Sequence, residues 1–291
     1  MADLSVNLGP LRLKNPVITA SGTFGYGKEY SGLIPLEELG AVTVKGISQS
    51  PTSGNPQPRT AEVFGGMLNA IGLENPGVET FLHHPDYLPF LQSLSVPVIV
   101  NIWGKTVEEY AAVARRLTEE GSGIAALEIN VSCPNIKAGG ISFGTDLGMM
   151  AKAVGAVRAV TDLPLITKLS PNVTRIADFA ACAVEAGSDI ISLINTLPAM
   201  AIDIERRRPV LANITGGLSG PPIKPVALRM TYETARAIDA PIIAMGGIWS
   251  AEDAIAFLLA GAGAVAAGTA VFSDPCCLLS IRDGINDYLD Q

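Results

Sequence analysis

Eight short apolar segments recur along the chain, and amphipathic stretches with helical periodicity separate most of them. We predict strands at residues 17–21, 41–46, 97–102, 126–132, 163–169, 189–195, 241–245 and 264–268. Strands that alternate with helices pair in parallel, and a parallel sheet of this many strands closes into a barrel. The pattern therefore predicts an α/β fold, a (β/α)8 or TIM barrel, in which residues 1–291 form one domain.

Local signals agree with this barrel. Ahead of the first strand, apolar residues alternate on both sides of Gly9-Pro10, which predicts an N-terminal β-hairpin that covers one end of the barrel. Apolar residues within 176–184 recur at helical spacing and form one stripe. Residues 106–109 and 250–253 have the spacing of helix capping boxes.

Composition limits the kinds of partner. Hydrophobic residues make up 48% of the chain and charged residues 16%, which supplies a large core and excludes a disordered chain. The net charge of −8 argues against nucleic acid or an anionic membrane as a main partner. Residues 254–273 carry no charge, but their glycines predict helix, turn and strand rather than a membrane span. Because the first residues also lack the pattern of a signal peptide, we expect a cytoplasmic protein.

The cysteines give no sign of a metal centre. Cys133, Cys182, Cys276 and Cys277 form no C-x-x-C pair, so the chain lacks the ligands of a zinc site or an iron–sulfur cluster. This pattern is typical of a reducing compartment. We predict that the adjacent Cys276 and Cys277 lie in a helix as small apolar residues.

Two segments between strands are much longer than the others. They comprise residues 48–72 and residues 196–224, and both follow strands. Insertions on that side of a barrel lie on the catalytic face, so both are candidates for substrate contacts or a docking surface. Residues 206–208 are three arginines, for which a solvated loop is slightly favoured over a docking role.

A polar cluster follows the fourth predicted strand. Asn130, Ser132 and Asn135 surround Cys133, and Pro134 ends the strand. A lone cysteine here would be a small buried residue, but so many hydrogen-bonding groups are costly in a core. These polar neighbours favour a functional role for the Cys133 thiol.

The other strand ends are also unusually polar. Lys45 and Lys168 would lose hydration at a buried mouth unless an anionic or reducible ligand met them. Glycines follow the last two strands, where barrels of this kind bind phosphate through backbone N–H groups. We therefore predict a phosphate-bearing ligand at residues 246–247 and 268–269.

Several motifs, in order, resemble those of the dihydroorotate dehydrogenases of pyrimidine (UMP) biosynthesis. The motifs are Val42-Thr43-Val44-Lys45-Gly46, Asn69-Ala70-Ile71-Gly72-Leu73-Glu74-Asn75-Pro76-Gly77, Glu128-Ile129-Asn130-Val131-Ser132-Cys133-Pro134-Asn135, Thr167-Lys168-Leu169-Ser170-Pro171 and Gly216-Gly217-Leu218-Ser219-Gly220. The resemblance spans essentially the whole chain. It implies an FMN-containing barrel that oxidises dihydroorotate to orotate.

The resemblance also implies roles for individual residues. Cys133 would be the base that takes a proton from C5 of dihydroorotate, Lys45 the cation near substrate and flavin, and Lys168 the cation beside N1 of the flavin. The implied substrate-binding residues are Lys45, Asn69, Ala70, Ile71, Gly72, Leu73, Asn130, Asn135, Asn195 and Thr196. The implied FMN-binding residues are Ser21, Lys45, Gly46, Asn101, Asn130, Lys168, Ile194, Gly220, Gly246, Gly247, Gly268 and Thr269.

Cysteine rather than serine at the base position resembles the soluble class 1 enzymes, and the runs 69–77 and 214–220 resemble class 1B. That class is expected to be a homodimer joined to a subunit with FAD and a 2Fe-2S cluster, a heterotetramer that reduces NAD. Trp103 departs from the pattern, which has a smaller residue there. Three alternatives stay open: a class 1A homodimer that uses fumarate, a tRNA dihydrouridine synthase, which the acidic charge disfavours, and a non-catalytic scaffold.

Overall fold

The computed structural model describes residues 2–131, 137–138 and 141–291, with the backbone alone for residues 137–138 and 141–142. Within those residues, eight strands form one parallel sheet. They are β1 (Val17–Thr19), β2 (Val42–Ile47), β3 (Val98–Ile102), β4 (Ile124–Asn130), β5 (Leu165–Lys168), β6 (Ile190–Leu193), β7 (Ile242–Met245) and β8 (Ala264–Ala267). All eight fall within a few residues of their predicted positions, which confirms the predicted barrel.

The sheet closes on itself between β1 and β2. Its order is β1-β8-β7-β6-β5-β4-β3-β2, and a parallel bridge between Ile18 and Ala41 joins the two ends. The Thr43 N–H donates to Thr19 Oγ1 (2.7 Å), and that hydroxyl donates to the Thr43 carbonyl (3.0 Å). The carboxyl ends of all eight strands therefore meet at one mouth.

Helices cover the outside of the barrel. In the described chain they are α1 (Val78–His83), α2 (Leu88–Gln92), α3 (Val107–Glu120), α4 (Leu147–Arg158), α5 (Ile176–Glu185), α6 (Lys224–Ala235), α7 (Ala251–Leu259), α8 (Ala270–Ser273) and α9 (Cys277–Leu289). Between β1 and β2 the chain makes a 3-10 helix, Leu36–Glu38, instead of an α-helix, and another, Pro221–Ile223, precedes α6. The terminal helix α9 packs against β1.

The structure confirms both predicted helix N-caps, at the starts of α3 and α7. The Thr106 hydroxyl accepts from the Glu109 N–H, and Ser250 and Asp253 form a reciprocal capping box. The prediction for the adjacent cysteines was half wrong, because Cys277 is buried at the start of α9 while Cys276 precedes it and is exposed.

Side chains that alternate along the strands separate an outer core, under the helices, from an inner one. The N-terminal hairpin, Val6–Leu8 paired with Leu11–Leu13, inserts its leucines into the inner core. It lies at the amino end of the barrel, since Gly9 approaches the residues that precede β6 and β7. The inner core consists mainly of Leu8, Leu11, Leu13, Ile18, Ile99, Ala126, Ile166, Ile190 and Ile243. This apolar plug leaves the opposite end of the barrel for a ligand.

The two long insertions pair with each other over the mouth. Strands Thr60–Val63 and Gly66–Asn69 from the first insertion, and Leu197–Met200 and Thr215–Ser219 from the second, form a four-stranded antiparallel sheet, here called the lid sheet. The described residues also form two small hairpins: Lys137–Ala138 with Ile141–Ser142, and Ile202–Asp203 with Arg208–Pro209. The three arginines at 206–208 are exposed on the second of these.

The uncharged stretch at 254–273 is divided as predicted, among α7, β8 and α8. No helix in the described part of the chain is long and apolar enough to cross a membrane.

Candidate active site

A cavity of about 690 Å³ opens at the carboxyl ends of the barrel strands, beneath the lid sheet. Its volume lies within the range of ~300–1,000 Å³ that small-molecule sites occupy. Nearly all the residues proposed for the site line it: Ser21, Lys45, Gly46, Asn69, Ala70, Ile71, Gly72, Leu73, Asn101, Asn130, Lys168, Ile194, Asn195, Thr196, Gly220, Gly246, Gly247, Gly268 and Thr269. Cys133 and Asn135 lie outside the described residues.

Lys168 brings a positive charge to the floor of this cavity. It ends β5, points into the barrel, and is only 6% exposed. Its Nζ donates to Ser21 Oγ at 3.2 Å and lies 3.9 Å from a carboxylate oxygen of Glu128. A buried ammonium held this way is suited to meet developing negative charge on a ligand.

Glu128 is the functional candidate that the sequence reasoning missed. It lies within β4 and is 2% exposed. Its Oε1 accepts from Asn101 Nδ2 at 2.6 Å, and its Oε2 accepts from Ser192 Oγ at 2.8 Å. The signal was a carboxylate in the middle of an apolar strand, which is costly unless it is paired.

Two buried polar atoms surround Gly46 at the end of β2. Asn101 Oδ1 and Trp103 Nε1 have no hydrogen-bond partner among the described residues. A Cβ at Gly46 would lie 2.7 Å from Asn101 Oδ1 and 3.1 Å from Trp103 Cδ1, so this position has room only for glycine. Trp103 thus packs behind the cavity wall, and Asn101 offers an unused acceptor in the wall itself.

Lys45, the second lysine of the cavity, lies beside Gly46. Burial lowers the pKa of Lys45, and the nearby Glu74 carboxylate partly opposes this shift. Arg59 lowers it further, although Arg59 itself forms an ion pair with Glu74. A partly desolvated ammonium attracts an anionic substrate more strongly than one in water does.

The lid sheet forms the roof of the cavity, and its backbone closely contacts the side chains of Asn69 and Thr196. Asn69 lies opposite Gly217 and donates through Nδ2 to its carbonyl at 3.4 Å. A Cβ at Gly217 would lie 2.1 Å from Thr196 Oγ1, so only glycine allows the sheet to approach the chain that follows β6. The amides of Asn69 and Asn195 and the hydroxyl of Thr196 thereby reach one space.

The glycine turns after β7 and β8 lie side by side. Gly246 and Gly247 have positive φ angles of 121° and 79°, which favour glycine. Thr269, beside Gly268, donates through Oγ1 to Ser219 Oγ at 2.8 Å and so connects the β8 turn to the lid sheet. Both turns line the cavity, at the place where barrels bind phosphate.

Comparison with known proteins agrees with this geometry. A family model described as "Dihydroorotate dehydrogenase" matches residues 3–289. The chain is 56% identical over 287 residues to "Dihydroorotate dehydrogenase B (NAD(+)), catalytic subunit" of Geotalea daltonii, covering 99% of this chain and 93% of the relative. It is 54% identical over 289 residues to the protein of that name from Alkaliphilus oremlandii, with 99% and 94% covered. The one from Trichlorobacter lovleyi is 55% identical over 288 residues, also with 99% and 94% covered.

Proposed function

Because the chain belongs to the dihydroorotate dehydrogenase family, we propose that it oxidises dihydroorotate to orotate in pyrimidine biosynthesis, with FMN as its resident cofactor. The observation that carries this proposal is the cavity, in which two lysines, several amides and two glycine turns meet at one barrel mouth. Each of these groups matches a part of the cofactor or of the substrate.

The residues present fit FMN. The paired turns at Gly246-Gly247 and Gly268-Thr269 suit its phosphate, and the buried acceptor Asn101 Oδ1 suits a ring N–H. Lys168 lies in the same wall and supplies a positive charge. When bound, FMN supplies a two-electron acceptor for the hydride on C6 of dihydroorotate.

The residues of the chain then bind and polarise the substrate. We propose that Asn69, Asn130, Asn195 and Thr196 hold the pyrimidine edge and carboxylate, together with Asn135, because amides match a ring with both donors and acceptors. Lys45 adds a desolvated cation for the carboxylate. The lid sheet above them excludes water from the reacting atoms.

Cys133 completes the proposal as the base that removes the proton from C5. A thiol has an ordinary pKa of about 8.5, and a nearby cation or hydrogen bonds favour the thiolate. The role of Cys133 stays a prediction, since the residue lies outside the described part of the chain.

We further propose that NAD is the final electron acceptor, reached through a second subunit. The relatives are named as catalytic subunits of NAD(+) enzymes, which implies another subunit in those proteins. The four cysteines form no C-x-x-C pair, so a 2Fe-2S cluster would belong to that subunit, and we expect the FAD there as well. The expected assembly is a homodimer of this chain with two copies of the partner. Fumarate remains the acceptor of the alternative class.

The test is anaerobic titration of the purified, FMN-loaded chain with dihydroorotate. We expect the visible absorbance of the oxidised flavin to disappear, and orotate to appear in equal amount. A colourless chain that takes up no FMN, or a flavin that dihydroorotate leaves oxidised, would contradict the proposal. If the chain were instead a tRNA dihydrouridine synthase, tRNA would oxidise its reduced flavin.

Co-purification from the native host tests the electron acceptor. We expect a second chain that carries FAD and iron, and dihydroorotate-dependent reduction of NAD by the complex. Turnover of the chain alone with fumarate, and no bound partner, would point to the class 1A alternative.

A further inference from the structure

The carboxylate of Glu128 stands behind the cavity wall rather than in it. Its direct partners Asn101 and Lys168 both line the cavity, whereas Glu128 is not among the lining residues. It contacts Asn101 at 2.6 Å and lies 3.9 Å from the Lys168 ammonium. Glu128 therefore does not contact a ligand in the cavity directly, and the groups that it holds stand between the two.

Glu128 fixes the orientation of the Asn101 amide. A carboxylate can only accept hydrogen bonds, so the amide must turn its NH2 group toward Glu128. This leaves Asn101 Oδ1 on the other side, buried and without a partner among the described residues. The wall thus presents an acceptor toward the space beside Gly46.

Glu128 also offsets the charge of Lys168. The ammonium is 7% exposed and the carboxylate 3%, so water screens their attraction little. Ser192 donates to the second carboxylate oxygen and so does not compete for Lys168. A cation paired in this way stabilises added negative charge on a neighbouring ligand less than an unpaired cation would.

We infer that Glu128 is a positioning residue that tunes the flavin: through Lys168 and Asn101 it lowers the reduction potential of the bound FMN. This inference rests on the proposed FMN site. The proposed function requires only that the flavin accept electrons, whereas the inference states which buried carboxylate limits how readily it does so.

The test is the midpoint potential of the FMN-loaded chain with Glu128→Gln, measured with reference dyes. Because the negative charge is lost while the side-chain shape is kept, we expect the equilibrium to shift toward reduced flavin by about tenfold, ~30 mV for a two-electron couple. Glu128→Met, which removes the charge without adding an amide, should shift the potential in the same direction. It serves as the second variant if Glu128→Gln binds FMN poorly.

Two further variants separate charge from packing. Ser192→Ala removes one hydrogen bond to Glu128 but keeps the carboxylate, so its shift should be less than threefold. In a Lys168→Met background, Glu128→Gln should also change the equilibrium by less than threefold, because the cation whose charge Glu128 offsets is then absent.

Two results would overturn the inference in distinguishable ways. If the chain binds FMN and Glu128→Gln and Glu128→Met both leave the potential unchanged, Glu128 has no tuning role, and the proposed function stands. If the unaltered chain takes up no FMN, the proposed function fails and the inference fails with it.

Discussion

Burial raises the pKa of two of the four thiols of this chain. Burial raises the pKa of Cys277 to about 12, with Asp274 adding to the effect, and burial also raises the pKa of Cys182. Neither thiol lines the cavity. Both are therefore poor candidates for a base at neutral pH. The exposed Cys276 does not line the cavity either, which leaves Cys133 as the thiol to test.

Replacing Cys133 with serine should separate chemistry from binding. We expect Cys133→Ser to retain FMN and to slow flavin reduction by dihydroorotate about 10²–10⁴-fold at neutral pH, because a hydroxyl is a far poorer source of the anion. Stopped-flow absorbance measures this rate. Cys182→Ser is the matched control and should reduce at the original rate; an unchanged rate in Cys133→Ser would refute the assignment.

Lys45 illustrates a conflict between stability and function. Its pKa is lowered by burial, so between that pKa and the ordinary Lys value the unfolded chain binds more protons than the folded one. Folding stability due to this group therefore rises with pH through that window, and below it the buried charge is destabilising.

We expect Lys45→Met to raise the melting temperature of the FMN-free chain at pH 7, on the order of a few degrees, because a buried charge is removed. The same change should lower dihydroorotate turnover about 10²-fold, since a cation aimed at the substrate is lost. Calorimetry at several pH values should also show a smaller rise in stability toward alkaline pH. A lower melting temperature at pH 7 would contradict the proposed desolvation.

Among the elements, the lid sheet depends on glycine where its backbone meets the Thr196 side chain. A Cβ at Gly217 would lie 2.1 Å from Thr196 Oγ1, whereas a Cβ at Gly32 would meet nothing within 4 Å. The same substitution of glycine by alanine can therefore be compared at a crowded position, Gly217, and at an open one, Gly32.

Gly217→Ala should therefore weaken orotate binding about tenfold, because an overpacked contact of this kind costs ~1–3 kcal/mol and displaces Thr196 from the cavity wall. Orotate titration by flavin absorbance measures the change. Gly32→Ala is the matched control and should bind orotate as the unaltered chain does. Equal affinity in both variants would show that the lid sheet does not position Thr196.

The lid sheet also shows what the sequence could and could not predict. The eight barrel strands were predictable because each is a short apolar run and amphipathic helices separate most of them. Both insertions were correctly predicted to lie on the catalytic face, but their pairing with each other was not predicted. Residues 215–219 are mostly small and polar, and one of the two strands that they pair with, Gly66–Asn69, is about 150 residues away, so no local pattern reveals this pairing.

A similar limit applies to two other features. The position of Glu128 in an apolar strand was visible in the sequence, but its partners emerge only in the fold. Asn101 comes from the neighbouring β3 and Ser192 from β6, two strands away. The 3-10 helix at Leu36–Glu38 takes the place of an expected α-helix, because α9 from the other end of the chain covers β1.

In the molecule as a whole, the cavity is built from every strand of the barrel. Each strand end from β1 to β8 contributes to its wall, as do both halves of the lid sheet. A ligand that binds all of these groups binds only the folded chain, so it stabilises the whole barrel by mass action.

FMN should therefore raise the melting temperature of the entire chain in a single transition. At a free concentration 100 times its Kd, a ligand contributes about 2.7 kcal/mol, which corresponds to a rise on the order of 5 °C for a domain of this size. Riboflavin, which lacks the phosphate, should raise it less at equal concentration, because the turns at Gly246-Gly247 and Gly268-Thr269 then have no anion to bind. Equal shifts with FMN and riboflavin would mean that these turns do not hold the phosphate, and that the glycines there serve the close packing of Gly246 against Ala227 and Gly247 against Lys224 instead.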